Sequence, residues 1–309
     1  TCANGYAFFP DDPPKATCST DGGAFTLSGC YNSNINQTSE QQAKSIIFNS
    51  TSGNVGYWRA DTGKVGSNVN GKVGSWTSYP NRFGEEIIVS NSSNDNELQH
   101  TSSNSNMNNN PSVSFPGNGA GLTNDSFARL SNSTSFTRVL VTRNDSPSAR
   151  SLPYYDHATG MDGYMYYGKY YSYANDIATD QYAVINSFSS DAIASNTMIS
   201  ISTFDSSKNT NEDKLKLRIN ASDYVFSSFA NNSLTSPGSD TGIGFGSNAS
   251  GQYPYQGNIS EVILFDRALR SDEIETLESH LLVKYGHVKT CKQPSVTTGY
   301  NMSNCDDSL

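Results

Sequence analysis

Apolar and polar positions alternate with period two along much of the middle of this chain. Ser112-Val113-Ser114-Phe115 alternates and then turns at Pro116-Gly117. Ser135 to Thr142, Met198 to Phe204 and Lys214 to Ile219 repeat the pattern, and Gly242–Gly246 and Gly257–Phe265 close the series. Such alternation predicts strands with one buried face. With no helical pattern between them, many short strands predict a sandwich or jelly roll. One segment changes period. Ile274, Leu277, Leu281 and Tyr285 fall at three- and four-residue spacing, which predicts an amphipathic helix. Ser271 is the expected N-cap, Asp272 and Glu273 suit the first turn, Lys284 suits the last, and Gly286 is a natural stop. Two stretches lack any apolar period. Residues 32–45 read as a polar linker, and the Asn-rich segment 88–110 reads as a polar loop.

Composition narrows the setting. Charged residues are 16% of 309, with Gly 25 and Tyr 18, which fits a β-rich extracellular chain better than a helical cytosolic one. A net charge of −9 argues against nucleic acid, whose phosphates require clustered Lys and Arg. No apolar run reaches the ~20 residues that cross a bilayer, so membrane insertion is not expected. Eleven Asn-x-Ser/Thr sequons, at Asn36, Asn49, Asn91, Asn124, Asn132, Asn144, Asn220, Asn231, Asn248, Asn258 and Asn301, are candidate glycosylation sites.

The cysteines lie only at the ends: Cys2, Cys18 and Cys30 in the head, Cys291 and Cys305 in the tail. An oxidising compartment is the expected setting for such a pattern. Taken tail first, the order is Cys291, a Pro and Gly299-Tyr300, then Cys2-Ala-Asn-Gly-Tyr6, Cys18 before a Gly-rich turn, and Cys30. This order resembles a sushi (complement control protein) module split between the two ends. Phe25 stands nearest the position where that family carries a Trp, and Cys305 is extra. The resemblance implies Cys2–Cys30 within the chain and Cys18 with a Cys291 of another copy, leaving Cys305 with a partner unknown. The alternative is that a partner cysteine lies outside this segment.

Two further segments carry a second resemblance. Tyr57-Trp58-Arg59-Ala60-Asp61 with Val73-Gly-Ser-Trp76 opens the middle region, and Gly257-Asn-Ile-Ser-Glu261-Val-Ile-Leu-Phe265 leads into the helix that closes it. Together they resemble a laminin-G-like domain of the concanavalin A-like jelly-roll class. The implied organisation is a sushi-like half-module at 1–31, the linker at 32–45, the jelly roll at 46–288, and the start of a next sushi-like module at 289–309. Trp58, Trp76, Ile259, Val262, Ile263, Phe265, Leu277 and Leu281 are the expected core.

Candidate chemistry is thin. No strand shows two carboxylates on one face; Glu85 and Glu86 are adjacent, and Asp272, Glu273, Glu275 and Glu278 lie on the helix, where dipole and solvent explain them. A chain that is not an enzyme is therefore expected. His280 and His287 are expected at the surface. The resemblance implies calcium at the sandwich rim, with Asp156, Asp162, Asp176 and Asp180 as ligands on a loop-rich stretch; Asp205 and Asp213 flank another loop. Residues 154–182 hold nine tyrosines. Some would fill the core, and Tyr164, Tyr166, Tyr167, Tyr170, Tyr171 and Tyr173 are the candidate contact or glycan surface. The function expected is a structural unit of an extracellular glycosylated filament or surface appendage, its copies joined head to tail. The second expectation is a calcium-dependent carbohydrate-binding or adhesive module.

Overall fold

The computed structural model describes residues 39–48, 53–61, 63–67, 72–90, 98–130, 133–146, 151–156, 160–166, 169–172, 183–184, 197–224, 228–229, 242–247 and 253–287, with short strand pieces at 6–7, 15–17, 26–28 and 31–32. Among these, the chain is mostly β, with two large antiparallel sheets in a jelly-roll-like sandwich and a C-terminal helix.

The first sheet has eight strands, numbered here in chain order: β1 Asn54–Arg59, β2 Gln99–Asn104, β3 Asn110–Pro116, β4 Ser135–Asn144, β5 Met198–Asp205, β6 Leu215–Ile219, β7 Ser222–Tyr224 and β8 Gln256–Phe265. Their order is β7-β6-β5-β4-β8-β3-β2, with β1 also on β8. One edge of β8 pairs with β4 throughout. Its other edge is shared, β3 taking Gln256–Ile259 and β1 taking Glu261–Phe265. The second sheet has ten strands; its central neighbours are Tyr154–Asp156, Ile243–Phe245, Leu122–Asn124, Ile87–Ser90 and Val73–Thr77.

Two apolar layers result. The inner one lies between the sheets and holds Trp58, Trp76, Phe115, Phe136, Tyr154, Phe204, Phe245 and Val262, all essentially without solvent contact. Phe245 is its hub. Trp58 meets it edge-on at 5.3 Å and Trp76 at 5.7 Å between ring centroids, a favoured aromatic geometry. Gly246, at φ +85°, lies against the Phe115 ring so closely that no Cβ fits. Arg138 is buried here too, its guanidinium 4.3 Å from the Phe136 ring centroid.

The outer layer lies between the other face of the eight-stranded sheet and two helices, α1 Ser39–Phe48 and α3 Ser271–Lys284; a single turn, α2 Asn211–Lys214, precedes β6. Ile47, Tyr57, Val139, Val141, Ile199, Ile201, Ile263, Phe265, Leu277, Leu281 and Tyr285 fill it. Strand β8 serves both layers by alternation, and a bulge shifts its frame midway. Val141 pairs with Glu261 but Thr142 with Ile259, so Ser260 is an extra residue. Ile259 and Val262 therefore both face inward, while Glu261, Ile263 and Phe265 face the helices.

Several expectations change. The stretch at 32–45 is not a linker in its second half, because Ser39–Phe48 is a helix packed on α3 and β1. Its apolar positions Ala43, Ile46 and Ile47 recur at helical spacing and bury against α3's layer. The segment 88–110 is not a loop throughout. Ile87–Ser90 and β2 are strands, and β2 has no large apolar side chain to announce it; its ladder to β3 holds it. The N-cap of α3 is Arg270, not Ser271. Glu273 reaches back to accept from the Arg270 backbone N–H at 2.9 Å and pairs with Arg267 in a bidentate contact at 2.8 Å. The expected core residues Trp58, Trp76, Ile259, Val262, Ile263, Phe265, Leu277 and Leu281 are all buried.

At the head, Tyr6–Ala7 pairs with Tyr31–Asn32 and Lys15–Thr17 with Thr26–Ser28. All five cysteines, and so the pairing inferred for them, lie outside the described residues.

Candidate functional site

The outward-facing polar residues of β1 and β8 converge beneath the two helices. Alternation on β1 turns Trp58 inward, so Tyr57 and Arg59 point out, with Asp61 just beyond the strand. The bulge on β8 turns Glu261 to the same side, in register with Arg59. Above them, α3 contributes His280, Leu281, Val283 and Lys284, and α1 contributes Glu40, Lys44, Ile47 and Phe48. With Asn110 and Pro111 these residues enclose a cleft of about 620 Å³.

Glu261 anchors its floor. The residue is 1% exposed, and its carboxylate accepts from Tyr57 Oη at 2.9 Å, from Tyr285 Oη at 2.8 Å and from Lys284 Nζ. Burial pushes this carboxyl up, but the charges of Lys284 and Arg59 and the hydrogen bonds from Lys284 and Tyr285 outweigh it and hold it at about 2. Tyr285 is pushed well up, by burial first and by the neighbouring carboxylate second. Toward solvent, Arg59 pairs with Asp61 and donates to Tyr79 Oη at 3.0 Å, while Tyr79 donates to Asp61. Burial, then the hydrogen bond to Asp61, pushes the Tyr79 phenol up. Arg59 is shifted up as well: burial opposes this, and Tyr57, Glu261 and Asp61 overcome it. On α3, burial lowers His280, with Glu261 opposing the shift. His280 is thus half-buried in the cleft wall, not a surface residue.

The charges of the cleft balance. Glu40, Asp61 and Glu261 face Lys44, Arg59 and Lys284, and each acid has a base: Glu40 with Lys44 at 3.2 Å, Asp61 with Arg59, Glu261 with Lys284. Beside them runs an aromatic wall, with Phe48 5.6 Å from Tyr57 and Tyr57 5.4 Å from Tyr79. The helix end over the cleft is pinned separately. Asn108 and Asn110 each donate a side-chain amide to the Lys284 carbonyl at 2.9 Å, which satisfies an otherwise unmatched acceptor at the α3 C-terminus.

The sites expected from sequence fall elsewhere. Tyr164 and Tyr166 lie on the strand Gly160–Tyr166, and Tyr170 and Tyr171 on its neighbour Lys169–Ser172, with Tyr164 opposite Tyr171; only their backbone is described. Tyr167 and Tyr173 are outside the described residues, as are Asp176 and Asp180. Asp156 and Asp162 sit on paired strands, again as backbone. Among the described residues, no group of three or more His, Cys, Asp or Glu is disposed to hold a metal ion. Asp205 binds Ser207 and Lys208, and Asp213 binds Thr210. Glu273 and Glu278 are not merely solvated: Glu278 is buried, pairs with Arg218 at 2.9 Å and accepts from the Ala221 N–H at 2.8 Å.

Two sequons are corrected as glycan sites. Asn144 and Asn258 are 1% and 7% exposed, and a glycan has no room there in the folded chain. The Asn258 carbonyl accepts from Asn104 and Ser112, and Asn144 accepts from the Ser146 N–H. At Asn220 the side chain accepts from the Ile199 N–H within a turn at φ 47°. Asn124 is half-buried, the last residue of an interior strand of the ten-stranded sheet. Asn36, Asn49, Asn91, Asn132, Asn231, Asn248 and Asn301 lie outside the described residues.

The cleft residues were visible in the sequence as members of the two quoted motifs, but not as a site. What joins Arg59 to Glu261 is a strand pairing across some two hundred positions. The available signal was alternation itself, which puts Arg59 and Asp61 on the face opposite Trp58.

No protein-family model matches the chain, and no curated protein matches it in sequence. Solved structures are similar in outline. A Trypanosoma rangeli sialidase in complex with sialic acid is 16% identical, with a TM-score of 0.44 over 74% of this chain and 33% of its own. Domain 4 of AbnA, a GH43 extracellular arabinanase from Geobacillus stearothermophilus, in complex with arabinotriose, is 10% identical, with a TM-score of 0.47 over 73% of this chain and 98% of that domain. The chain spans about a third of the length of the sialidases. At these identities the likeness is one of β-sandwich fold. The expectation that the chain is not an enzyme gains no support from it, the structures of that outline being sialidases and a domain of an arabinanase. It assigns no reaction to this chain.

Proposed function

We propose that this chain is a carbohydrate-binding module of an extracellular protein, its sandwich a laminin-G-like domain, and that a saccharide is held in the cleft between α1, α3 and the eight-stranded sheet. The observation that carries this reading is the pairing of charge in the cleft. Three acids and three bases neutralise one another beside an aromatic wall. A site of this kind offers hydrogen bonds in many directions and no net charge, which suits a neutral, hydroxyl-rich ligand with an apolar face. The laminin-G-like assignment rests on the two motifs, whose Trp58 and Trp76 enter the inner layer and whose Asp61 and Glu261 meet in the cleft region. Calcium dependence belongs to the same proposal.

A glycan array with and without EDTA, followed by titration calorimetry on the best ligand, tests it. Neutral oligosaccharides are expected to bind, and Asp61→Asn is expected to weaken binding at least tenfold with the fold intact. Binding that survives Asp61→Asn but is lost on Tyr→Ala changes within 164–173 moves the site to the tyrosine-rich strands. An array with no binder sinks the reading.

A second reading rests on the cysteines. Their confinement to the two ends, in the split order of a sushi-like module, supports a structural unit whose copies join head to tail in a filament or appendage. Non-reducing mass spectrometry tests this. A Cys18–Cys291 link between copies supports it, and fully internal pairing counts against it.

A further inference from the structure

We infer that Asn118 is a site of spontaneous deamidation, where the fold lets the Gly119 backbone nitrogen attack the Asn118 side-chain amide and so loosens, irreversibly, the turn between the two sheets. This turn carries the chain from β3, which ends at Pro116 in the eight-stranded sheet, to the strand Leu122–Asn124 in the ten-stranded one. Asn118 is exposed within it. It stands between two glycines, Gly117 at φ +83° and Gly119 at φ +95°, so its backbone can turn without obstruction from neighbouring side chains.

The reaction needs an unscreened nitrogen, an N–H not already committed, and a polarised amide carbonyl. Gly119 has no side chain to screen its nitrogen, and among the described residues its N–H donates to no backbone carbonyl. The Ala120 N–H donates to Asn118 Oδ1 at 3.2 Å, on the oxygen that takes up negative charge when the carbonyl is attacked. That donor is held in place: Ala120 is buried, and the Gly119 carbonyl accepts from Oγ of the buried Ser247 at 3.2 Å. Other asparagines lack one condition or another. Asn81 and Asn124 accept in the same way from the Phe83 and Ser126 N–H groups, but the residues that follow them are Arg82 and Asp125. After Asn108, Asn144 and Asn220 the next N–H is taken, by the Asn104 carbonyl, the Gln256 carbonyl and the Glu278 carboxylate respectively.

The step balances with water as the only co-reactant. The Gly119 nitrogen gives up its proton and bonds to Cγ of Asn118. The Cγ–Nδ2 bond breaks and ammonia leaves, which closes a succinimide ring. Water then opens the ring at either carbonyl. Opening at one restores an ordinary main chain with an aspartate side chain. Opening at the other leaves isoaspartate, whose main chain runs through Cβ and is longer by one atom. That extra atom falls between two anchored points: Gly117, which lies against the Gln256 side chain, and the Gly119 carbonyl, which is held by Ser247.

The test is to keep the full folded chain at physiological pH and temperature in water labelled with heavy oxygen, and to follow each asparagine by peptide mapping. Conversion of Asn118 with uptake of the label is expected, at a rate within about threefold of that in the same chain unfolded in guanidinium chloride, while Asn81 and Asn124 stay unconverted in the folded chain. Asn118→Gln, which would have to close a larger ring, should keep its amide. The isoaspartate fraction, separated by chromatography, is expected to melt about 2–4 °C below the parent, and Asn118→Asp, which changes the charge but not the length of the chain, to melt with the parent. Conversion about tenfold slower in the folded chain than in the unfolded one overturns the proposal, because the fold then protects the site. So does equal conversion at Asn81 and Asn124, or an isoaspartate fraction as stable as the parent.

Discussion

The two layers on either side of the eight-stranded sheet are built on different terms. The inner layer is closed by two sheets and filled largely by aromatic and branched side chains around Phe245. The outer layer begins the same way, with Leu277, Leu281 and Ile263, but ends in a polar network in which Glu261 holds Tyr57, Tyr285 and Lys284 together. Apolar burial dominates the first, with Arg138 against Phe136 and the Trp76 and Tyr255 hydrogen bonds as its few polar contacts. The second is fixed by burial and by a specific ionic arrangement, and it is where a cleft opens. A sandwich can therefore be rigid at its centre and still carry chemistry one layer away.

Truncation in the inner layer should be the most damaging change. Trp58→Ala removes a side chain with no solvent exposure and is expected to cost about 3–5 kcal/mol, read from urea unfolding monitored by fluorescence. In the outer layer, Leu277→Ala is expected to cost about 2–5 kcal/mol. Hydrogen exchange should show that loss concentrated in α1, α3 and β1; equal loss in both sheets would mean that the layers are one cooperative unit.

Acid distinguishes the layers more sharply. The Glu261 carboxyl is held at about 2, below its ordinary value of 4.5. A depressed acid contributes stability that is fully present above about pH 4.5 and lost as pH falls toward 2. His280, lowered by burial, adds a loss that starts just below pH 6.5. Helix α3 should thus loosen first on acidification, at neutral-to-acid pH slightly and below 4.5 strongly. Glu261→Gln is expected to cost about 3 kcal/mol at pH 7, from the uncompensated Lys284 and Arg59, and to flatten the pH dependence between 4.5 and 2. An unchanged acid profile in that variant would break the contrast. The smallest effect is expected from Asn108→Ala, about 1 kcal/mol through one lost hydrogen bond to the end of α3.

The inner layer was legible in the sequence and much of the outer one was not. Period-two alternation marks β4, β5, β6 and β8 because each has a face that must be apolar. It could not mark β2, Gln99–Asn104, whose side chains are polar and whose place is set by its ladder to β3. Helix α1 was hidden for a related reason. Its first half, Glu40 to Lys44, reads as linker composition although those residues are good helix formers, and its buried face shows only against α3 and the sheet. The Asn108–Asn110 run looked like loop composition; in the fold it is a clamp on α3, with Asn108 and Asn109 both in the left-handed region. The cleft needed a contact between Arg59 and Glu261 that local pattern does not encode. The extra residue that aims Glu261 outward is a serine with nothing in its type to set it apart.

That serine has a wider consequence. With Ser260 shifting the phase of β8 midway, the strand has two halves in opposite frames, one keyed to β3 and the other to β1. A deletion or insertion anywhere in this short run would exchange the roles of every side chain beyond it, sending a carboxylate among tryptophans and a valine toward water. Loops at either end of the strand are free to lengthen over evolutionary time, while the count of residues between Gly257 and Phe265 is held fixed by geometry.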